Sequence, residues 1–322
     1  VNAEIWYNRK IKKDQVSLQK SEVAIYKREL VKEIKVSYLN YLKATAAVSI
    51  YESALTTVNE SERVNQKLVD NGKEVIFALS RAKSEVSKIK AQLNDAKNTQ
   101  KNAAAYFNFL LNKPLDSEIK VDESLLKNMV MLPGDPTPNS SKREELAKLF
   151  TAKQITGNAL NLSKSSWIPK LGAQVDLGSQ ASDFHVDSHT GYYLLGISFD
   201  WSIFNGLRDV NKMKQAKIDV EALESQTKYV EMQLKLSAAT AANSYTSSVE
   251  QYKNAITEET TSAQYFNLMN KRYKEGQALY IEYLDARNEN TLASLRKAIT
   301  YFDAWIKYSE SERANADYKL PQ

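Results

Sequence analysis

The chain has 322 residues with a formal net charge of +5, and it contains nine glycines, six prolines and no cysteine. Lysines are interspersed with acids, as in Lys27-Arg28-Glu29, which indicates solvated helix faces and argues against a nucleic-acid site. The lack of cysteine excludes disulfides and thiolate metal sites. No run of about eighteen apolar residues occurs, so the sequence predicts no transmembrane helix.

Residues 9–113 are predicted to form a long helical hairpin. The first arm lacks glycine and proline up to residue 71 and is rich in strong helix formers. Its seam positions recur at three- and four-residue steps, a spacing typical of a coiled coil: Val31, Ile34, Tyr38, Tyr41, Thr45 and Val48. Asn71-Gly72 interrupts the pattern, and a glycine there can adopt the left-handed conformation that ends a helix. The tip of the hairpin is therefore placed at Gly72.

Residues 114–140 form a connector that holds four of the six prolines, with one short helix predicted inside it. Ser141 is followed three positions later by Glu144, which matches a capping box. This pair predicts a helix over residues 141–166.

Residues 167–204 are predicted to form a β-hairpin, because apolar residues alternate with small or polar ones. The apolar face of the second strand is Tyr193, Leu195, Ile197, Phe199, Trp201 and Ile203. An isolated hairpin with an apolar face requires further strands or a membrane around it. His185 and His189 lie in the polar loop between the strands, where a solvent-exposed loop is favoured over a metal pair. Aromatic residues at the strand ends suggest an interfacial belt: Trp167, Tyr192, Tyr193 and Trp201.

Residues 205–320 repeat the pattern as a second helical hairpin with its tip at Gly276. When the two glycines are superposed, Leu79 matches Tyr283 and Ala82 matches Ala286. Upstream, Trp6-Tyr7-Asn8 matches Ile203-Phe204-Asn205, so residues 1–8 are predicted to be the tail of a barrel strand. On this alignment the second helix is longer than the first by one heptad, since 276 − 205 exceeds 72 − 8 by seven.

Four motifs together resemble the TolC-like outer-membrane efflux protein family. Trp167-Ile168-Pro169-Lys170-Leu171-Gly172 is similar to a strand of its second repeat, and Trp201-Ser202-Ile203-Phe204-Asn205-Gly206 to its strand-to-helix junction. Arg272-Tyr273-Lys274-Glu275-Gly276, followed by Tyr283-Leu284-Asp285-Ala286, resembles its periplasmic tip. The segment Arg28-Glu29-Leu30-Val31-Lys32-Glu33-Ile34 is similar to its first descending helix.

The resemblance implies a mainly α fold with a small β part. In such a fold long antiparallel helical hairpins form an α-barrel, and the β-hairpin contributes to a trimeric transmembrane β-barrel. The implied function is the exit duct of a tripartite efflux or type I secretion complex. The implied location is the outer membrane of a Gram-negative bacterium, with the helices extending into the periplasm. The implied partners are two further copies of the chain, a periplasmic adaptor, an inner-membrane transporter and outer-membrane lipid.

The resemblance also assigns roles to residues near the tips. Glu282 and Asp285 would form acidic rings at the pore gate, and Tyr273 would help to hold the gate closed. Ala278 and Ala78 stand where the family has the arginine and aspartate of an ion-pair lock, so that lock is expected to be absent. Adaptor contacts fall on Asn71, Gly72, Lys73, Glu275, Gly276 and Gln277. The strand-to-helix junction falls on Phe204, Asn205 and Gly206.

Two other interpretations use the same helices. A structural coiled-coil rod or surface spacer would lack channel activity, but a rod cap does not need a lipid-facing stripe of about eleven residues. Secretion of polypeptides instead of small molecules uses the same fold and stays open. The sequence contains no phosphate-binding glycine loop and no nucleophile elbow, so we expect neither an enzyme nor a cofactor.

Overall fold

The computed structural model describes residues 2–72, 76–121, 129, 131–179 and 191–320. In chain order the elements are α1 (Ala3–Asp70), α2 (Ile76–Leu110), α3 (Glu144–Lys164), a 3-10 turn (Ser165–Trp167), β1 (Lys170–Ser179), β2 (Gly191–Asp200), α4 (Arg208–Lys274) and α5 (Tyr280–Asn315). The predicted mainly α fold with one β-hairpin is confirmed. Most of the short helix predicted in the connector, and the loop with His185 and His189, lie outside the described residues.

The chain divides into two compact units. The first unit comprises residues 1–26 and 141–234, and the second comprises residues 27–140 and 235–322. Helices α1 and α4 each contribute to both units.

Both predicted tips are helix ends with glycine in the left-handed region. Gly72 has φ of +64° and Gly276 has φ of +71°. After α4, the backbone N–H of Gln277 donates to the carbonyl of Arg272 at 2.8 Å, and that of Gly276 to Tyr273 at 3.0 Å. These bonds satisfy carbonyls that the helix end leaves open, which is why the chain turns here.

The predicted strand tail at residues 1–8 is wrong, because α1 already begins at Ala3. The Asn2 side chain accepts a hydrogen bond from the backbone N–H of Glu4 at 2.9 Å and so starts the helix. The match of Asn8 to Asn205 is wrong for the same reason. Superposing Gly72 on Gly276 gives one offset of 204 (276 − 72), which also brings the starts of α2 and α5 together (280 − 76). Helices α1 and α4, which lead to the two tips, have 68 and 67 residues, so their lengths do not differ by a heptad.

The predicted capping box at Ser141 is also wrong. Helix α3 begins at Glu144 with the extended Arg143 at the cap position and no side-chain cap. The buried Arg143 guanidinium instead donates to both carboxylate oxygens of Glu145, at 2.9 and 2.6 Å. This paired contact stabilises the first turn of α3. The helix therefore begins at Glu144, two residues after the start that a cap at Ser141 would give.

In the first unit the hairpin register confirms the predicted faces. Leu171 pairs with Phe199, Ala173 with Ile197, Val175 with Leu195, and Leu177 with Tyr193, so these apolar residues share one face. Strand β2 ends at Asp200, which is four residues before the predicted end of the hairpin at residue 204. Helix α3 is tied to α1 by Lys148 and Glu22 and to α4 by Lys153 and Glu224, each pair at 2.9 Å.

In the second unit two helical hairpins pack antiparallel. Lys97 bonds Glu52 at 2.9 Å between α2 and α1, and Lys297 bonds Glu259 at 3.0 Å between α5 and α4. The core near the connector contains Leu39, Leu42, Met129, Phe302 and Ile306. The Tyr301 and Tyr245 hydroxyls donate to the carbonyls of Met129 and Pro133 in the connector. The connector is therefore fastened by the buried Tyr245 of α4 and the half-buried Tyr301 of α5.

Within the described part of the chain, no helix combines the length and apolar character needed to cross a bilayer. The same residues contain no group of three or more histidine, cysteine, aspartate or glutamate side chains placed to hold a metal ion.

Candidate functional site

Three tyrosines whose rings contact one another mark the tip of the second unit. Tyr273, at the end of α4, lies 5.1 Å from Tyr283 and 5.5 Å from Tyr280 between ring centroids. Tyr280 and Tyr283, in the first turn of α5, lie 6.0 Å apart. The glycine turn at Gly276 places these rings together, because it reverses the chain between them. We call Tyr273, Tyr280 and Tyr283 the tyrosine cluster.

Two polar residues of α1 attach to the tyrosine cluster. The Tyr273 hydroxyl donates to Oδ1 of Asn65 at 3.0 Å, and Nδ2 of Asn65 donates to the carbonyl of Ser61 at 2.8 Å. Oγ of Ser61 in turn lies 3.3 Å from the Tyr280 hydroxyl. Asn65 is fully buried, so its amide depends on these partners. The contacts tie α1 to both α4 and α5.

A buried ion pair completes the site by joining α2 to α5. Nη2 of Arg287 donates to Oε2 of Glu85 at 2.8 Å, and the two side chains are 3% and 6% exposed. The same nitrogen lies 2.8 Å from Oδ1 of Asn288. Within the described residues, Nε and Nη1 of Arg287 have no hydrogen-bond acceptor. Glu85 is therefore the charge on which this buried guanidinium depends.

Burial favours the neutral form of two phenols of the site, those of Tyr280 and Tyr283. It raises the pKa of Tyr280 and of Tyr283, and the hydrogen bond from Ser61 and the nearby Arg287 charge offset part of this rise. Both hydroxyls therefore remain neutral hydrogen-bonding groups across the ordinary pH range.

The two predicted gate acids lie outside this buried cluster. Glu282 is exposed, and its Oε2 accepts the backbone N–H of Leu279 at 2.8 Å, as an acid in a first helical turn often does. Asp285 is also exposed, although its neighbours Leu284 and Ala286 are buried. Tyr273, the third predicted gate residue, is the one that the structure brings into the site.

The predicted adaptor-contact residues are exposed where the structure describes them: Asn71, Gly72, Glu275, Gly276 and Gln277. Lys73 lies outside the described residues. Beside each turn the structure adds exposed apolar residues that the sequence analysis had not singled out: Ile76 and Phe77 on α2, and Leu279 and Ile281 at α5. Each tip thus presents a small apolar surface next to its glycine.

The junction residues form the turn between β2 and α4. Phe204 is exposed, and Gly206 has φ of +65°. The Asn205 amide donates to the Asp209 carboxylate, which connects the turn to the first turn of α4. The predicted strand-to-helix joint is located here, as a turn after the end of the strand.

Sequence reasoning missed Ser61, Asn65, Glu85 and Arg287. Each has a weak local signature, because a polar residue interrupts a buried seam of three- and four-residue steps. On α1 the seam runs Ala54, Val58, Ser61 and Asn65, and on α2 it runs Ala78, Ala82, Glu85 and Ile89. Polar residues at such seam positions specify pairing at a cost in stability.

Residues 144–300 match the family model described as outer membrane efflux protein. A search of curated proteins gave no match. Among solved structures, the outer-membrane channel OprN has a TM-score of 0.84 at 17% identity over 99% of this chain and 73% of its own. The Campylobacter jejuni CmeC outer membrane channel has a TM-score of 0.84 at 15% identity, covering 99% and 69%. The open state of the Neisseria gonorrhoeae MtrE outer membrane channel has a TM-score of 0.85 at 15% identity, covering 97% and 71%.

The family match and the structural likeness cover different lengths of the chain. The family model covers α3, the hairpin, α4 and much of α5, while the likeness to the solved channels covers nearly the whole chain. Both agree with the resemblance carried by the junction and tip motifs. The chain thus contains a segment that matches the outer membrane efflux protein model, and it has the fold of the solved outer-membrane channels.

Proposed function

We propose that this outer-membrane channel is the gated exit duct of a tripartite efflux or type I secretion complex. The observation that carries the proposal is the hairpin register, which collects the apolar side chains of both strands on one exposed face. In water such a face would be costly, whereas in a barrel wall it meets lipid. The opposite face carries Gln174, Asp176 and Ser198, which suit a water-filled lumen.

Assembly into a trimer is supported by uncovered helix seams in the first unit. On α1 the exposed apolar residues Ile5, Val16 and Val23 recur at coiled-coil spacing. On α4, Ile218, Tyr229 and Met232 do the same. In a ring of three copies, the seam of one protomer would cover that of the next. A single copy leaves both seams in water.

The gate lies at the tips of the second unit. Three copies each of Glu282 and Asp285 would form acidic rings that favour cations. The tyrosine cluster and the Glu85–Arg287 pair hold the four helices of one protomer together behind those rings. This arrangement would replace the ion-pair lock that Ala78 and Ala278 cannot make.

The tips are also the proposed contact with a periplasmic adaptor. Phe77 is 75% exposed and Leu279 67% exposed, each close to its glycine turn. Docking of an adaptor's helical hairpin would bury these side chains, at roughly 25 cal/mol per Å² of apolar surface. Energy for export would come from the inner-membrane transporter, and the substrate would be either a small molecule or a polypeptide.

Planar-bilayer recordings of the full-length protein test the duct. We expect stepwise conductance with a cation preference in the wild type, and a weaker preference in Glu282→Ala/Asp285→Ala. Glu250→Ala is the matched control, because Glu250 is an exposed acid of α4 paired with Lys253. Absence of channels in every variant would favour the structural rod. An unchanged cation preference in the double variant would refute the acidic gate but not the duct.

A further inference from the structure

Asparagine is followed by glycine twice in the chain, and the structure gives the two pairs different surroundings. Asn71-Gly72 forms the tip after α1, and Asn205-Gly206 belongs to the turn before α4. Both glycines have a left-handed backbone, with φ of +64° and +65°. Such a pair is chemically reactive, because glycine has no Cβ to hinder attack by its backbone nitrogen on the preceding side-chain amide. The contacts around each asparagine therefore decide which pair reacts.

The first pair lies in the open at a helix end. Both Asn71 and Gly72 are exposed. Nδ2 of Asn71 donates to the carbonyl of Lys67 at 2.7 Å, and the backbone N–H of Gly72 donates to the carbonyl of Val69 at 2.9 Å. Both acceptors are neutral, and the last residues of a helix open at little cost in free energy. The two reacting groups of this pair are thus released easily.

The second pair is held more firmly. Asn205 is half-buried, and its amide donates to the Asp209 carboxylate while its Oδ1 accepts the backbone N–H of Asp209 at 3.4 Å. A hydrogen bond to an ionised group is roughly twice as strong as one between neutral groups. Reaction at Asn205 must therefore break a stronger contact than reaction at Asn71.

We propose that Asn71 is a site of spontaneous deamidation. The backbone nitrogen of Gly72 loses its proton and bonds to Cγ of Asn71, while the Cγ–Nδ2 bond breaks and Nδ2 leaves as ammonia with one added proton. Water then adds to either carbonyl of the resulting succinimide and breaks the bond from that carbonyl to nitrogen, which leaves aspartate or isoaspartate at position 71. One water is consumed and one ammonia is released, with no change of oxidation state.

The product loses a contact that stabilises the end of α1. A carboxylate has no hydrogen-bond donor, so it cannot replace the bond from Nδ2 to the carbonyl of Lys67. Its negative charge also stands beside Asp70 at the C-terminal end of the helix, where the helix dipole disfavours an anion. Deamidation therefore converts a neutral, hydrogen-bonded turn into an acidic turn at a weaker helix end.

The second tip already has an acid at the equivalent position. With the offset that superposes Gly72 on Gly276, Asn71 corresponds to Glu275. The last turn of α4 contains three basic residues, whereas that of α1 contains one, Lys67. The new charge is thus less compensated than the charge of Glu275. Because the tips are the proposed adaptor contact, deamidation would change the charge of that surface, although the reaction itself requires neither an adaptor nor a membrane.

Peptide mapping of the full-length protein by mass spectrometry tests the reaction. Samples are held at mildly alkaline pH, and each asparagine is followed by the mass gain that replacement of –NH2 by –OH produces. We expect Asn71 to react about tenfold faster than Asn205 and to yield both aspartate and isoaspartate. The matched control is Asn98, an exposed asparagine inside α2 that is followed by Thr99, and it should stay unchanged over the same time. In Asn71→Gln the tip peptide should show no mass gain, because the longer side chain closes its ring much more slowly.

Hydrogen exchange of the same protein measures the effect on the helix. Asn71→Asp should speed exchange in residues 62–70 by about 3- to 5-fold, because it removes the donor to Lys67 and adds charge at the helix end. Asn98→Asp is the matched control, since it adds the same charge in the interior of α2. It should leave exchange in residues 62–70 as in the wild type.

Three results would overturn the proposal. A rate at Asn71 no higher than the rates at Asn205 and Asn98 would show that the exposed glycine turn does not promote the reaction. Aspartate without isoaspartate would indicate direct hydrolysis by water instead of attack by Gly72. Exchange in Asn71→Asp equal to that in the wild type would remove the effect on α1. None of these readouts depends on channel formation, so failure of the duct proposal would leave them unchanged.

Discussion

Replacing Glu85 by glutamine should loosen the tip of the second unit by leaving Arg287 buried without its counter-charge. The substitution keeps the size of the side chain and one hydrogen-bond acceptor, so the loss reports the missing charge. Removing one partner of a buried ion pair typically costs about 3–5 kcal/mol. Because glutamine still accepts a bond from Nη2 and the Asn288 contact is unchanged, we expect the lower end, about 3 kcal/mol.

Hydrogen exchange of the full-length protein measures this loss locally. Peptides from residues 76–89 and 280–293 should exchange roughly 100-fold faster in Glu85→Gln, as about 3 kcal/mol implies. The matched control is Glu52→Gln, which breaks the Glu52–Lys97 pair between α1 and α2. Both of those side chains are about half exposed, so the cost should stay below about 1 kcal/mol.

Two outcomes would refute the reasoning. Exchange in Glu85→Gln that matches exchange in Glu52→Gln would show that the buried charge contributes little. Failure of the apolar replacement Glu85→Leu/Arg287→Met to recover protection would also contradict it, since well-packed apolar residues can replace a buried pair. If the pair also holds the gate, Glu85→Gln should spend more time open in bilayer recordings.

Three further predictions concern pH, a turn and the barrel face. Burial raises the pKa of Tyr245 from 10.0 to about 12, so the stability contributed by the neutral phenol is complete below pH 10 and is lost as pH rises to 12. Thermal melts of Tyr245→Phe should lack this alkaline loss of stability. The same pH profile in the variant and the wild type would contradict the prediction. Gly276→Ala should lower the free energy of unfolding by about 1 kcal/mol, because alanine is strained at a φ of +71°. Gly157→Ala, inside α3 with open space around it, should raise the free energy of unfolding by about 0.5–1 kcal/mol. A change of the same sign for both variants in denaturation experiments would contradict this reasoning. Leu195→Lys should destabilise the folded barrel in vesicles by roughly 2–4 kcal/mol, while Gln174→Lys on the other face of the hairpin should be tolerated. Equal yields of folded protein for the two variants would argue against a lipid-facing stripe.

Local chemistry was enough to predict the turns at the two tips. Gly72 and Gly276 end helices because glycine adopts the left-handed backbone conformation without strain. The two glycines can be read from the sequence without any knowledge of the packing. The errors arose where a short resemblance competed with helix propensity. Trp6-Tyr7-Asn8 looks like the junction at Asn205, but no glycine follows it, so the helix simply continues.

The pore-facing role of Glu282 and Asp285 and the adaptor contacts at the tips remain predictions. Their positions next to the glycine turns are local properties, and those that the structure describes are exposed. Exposure is compatible with a lumen or a docking surface and also with solvent. The bilayer recordings described above distinguish these possibilities for the two acids.

By itself the sequence determined the long helices, their glycine turns and the apolar face of the hairpin, because propensity and periodicity act over a few residues. Only the tertiary structure decided which helices meet at the tip. Tyr273 and Asn65 are 208 positions apart, and Arg287 and Glu85 are 202 apart, so no local pattern pairs them. Burial then makes these polar contacts significant, since each group has few alternatives to the partner that the packing supplies.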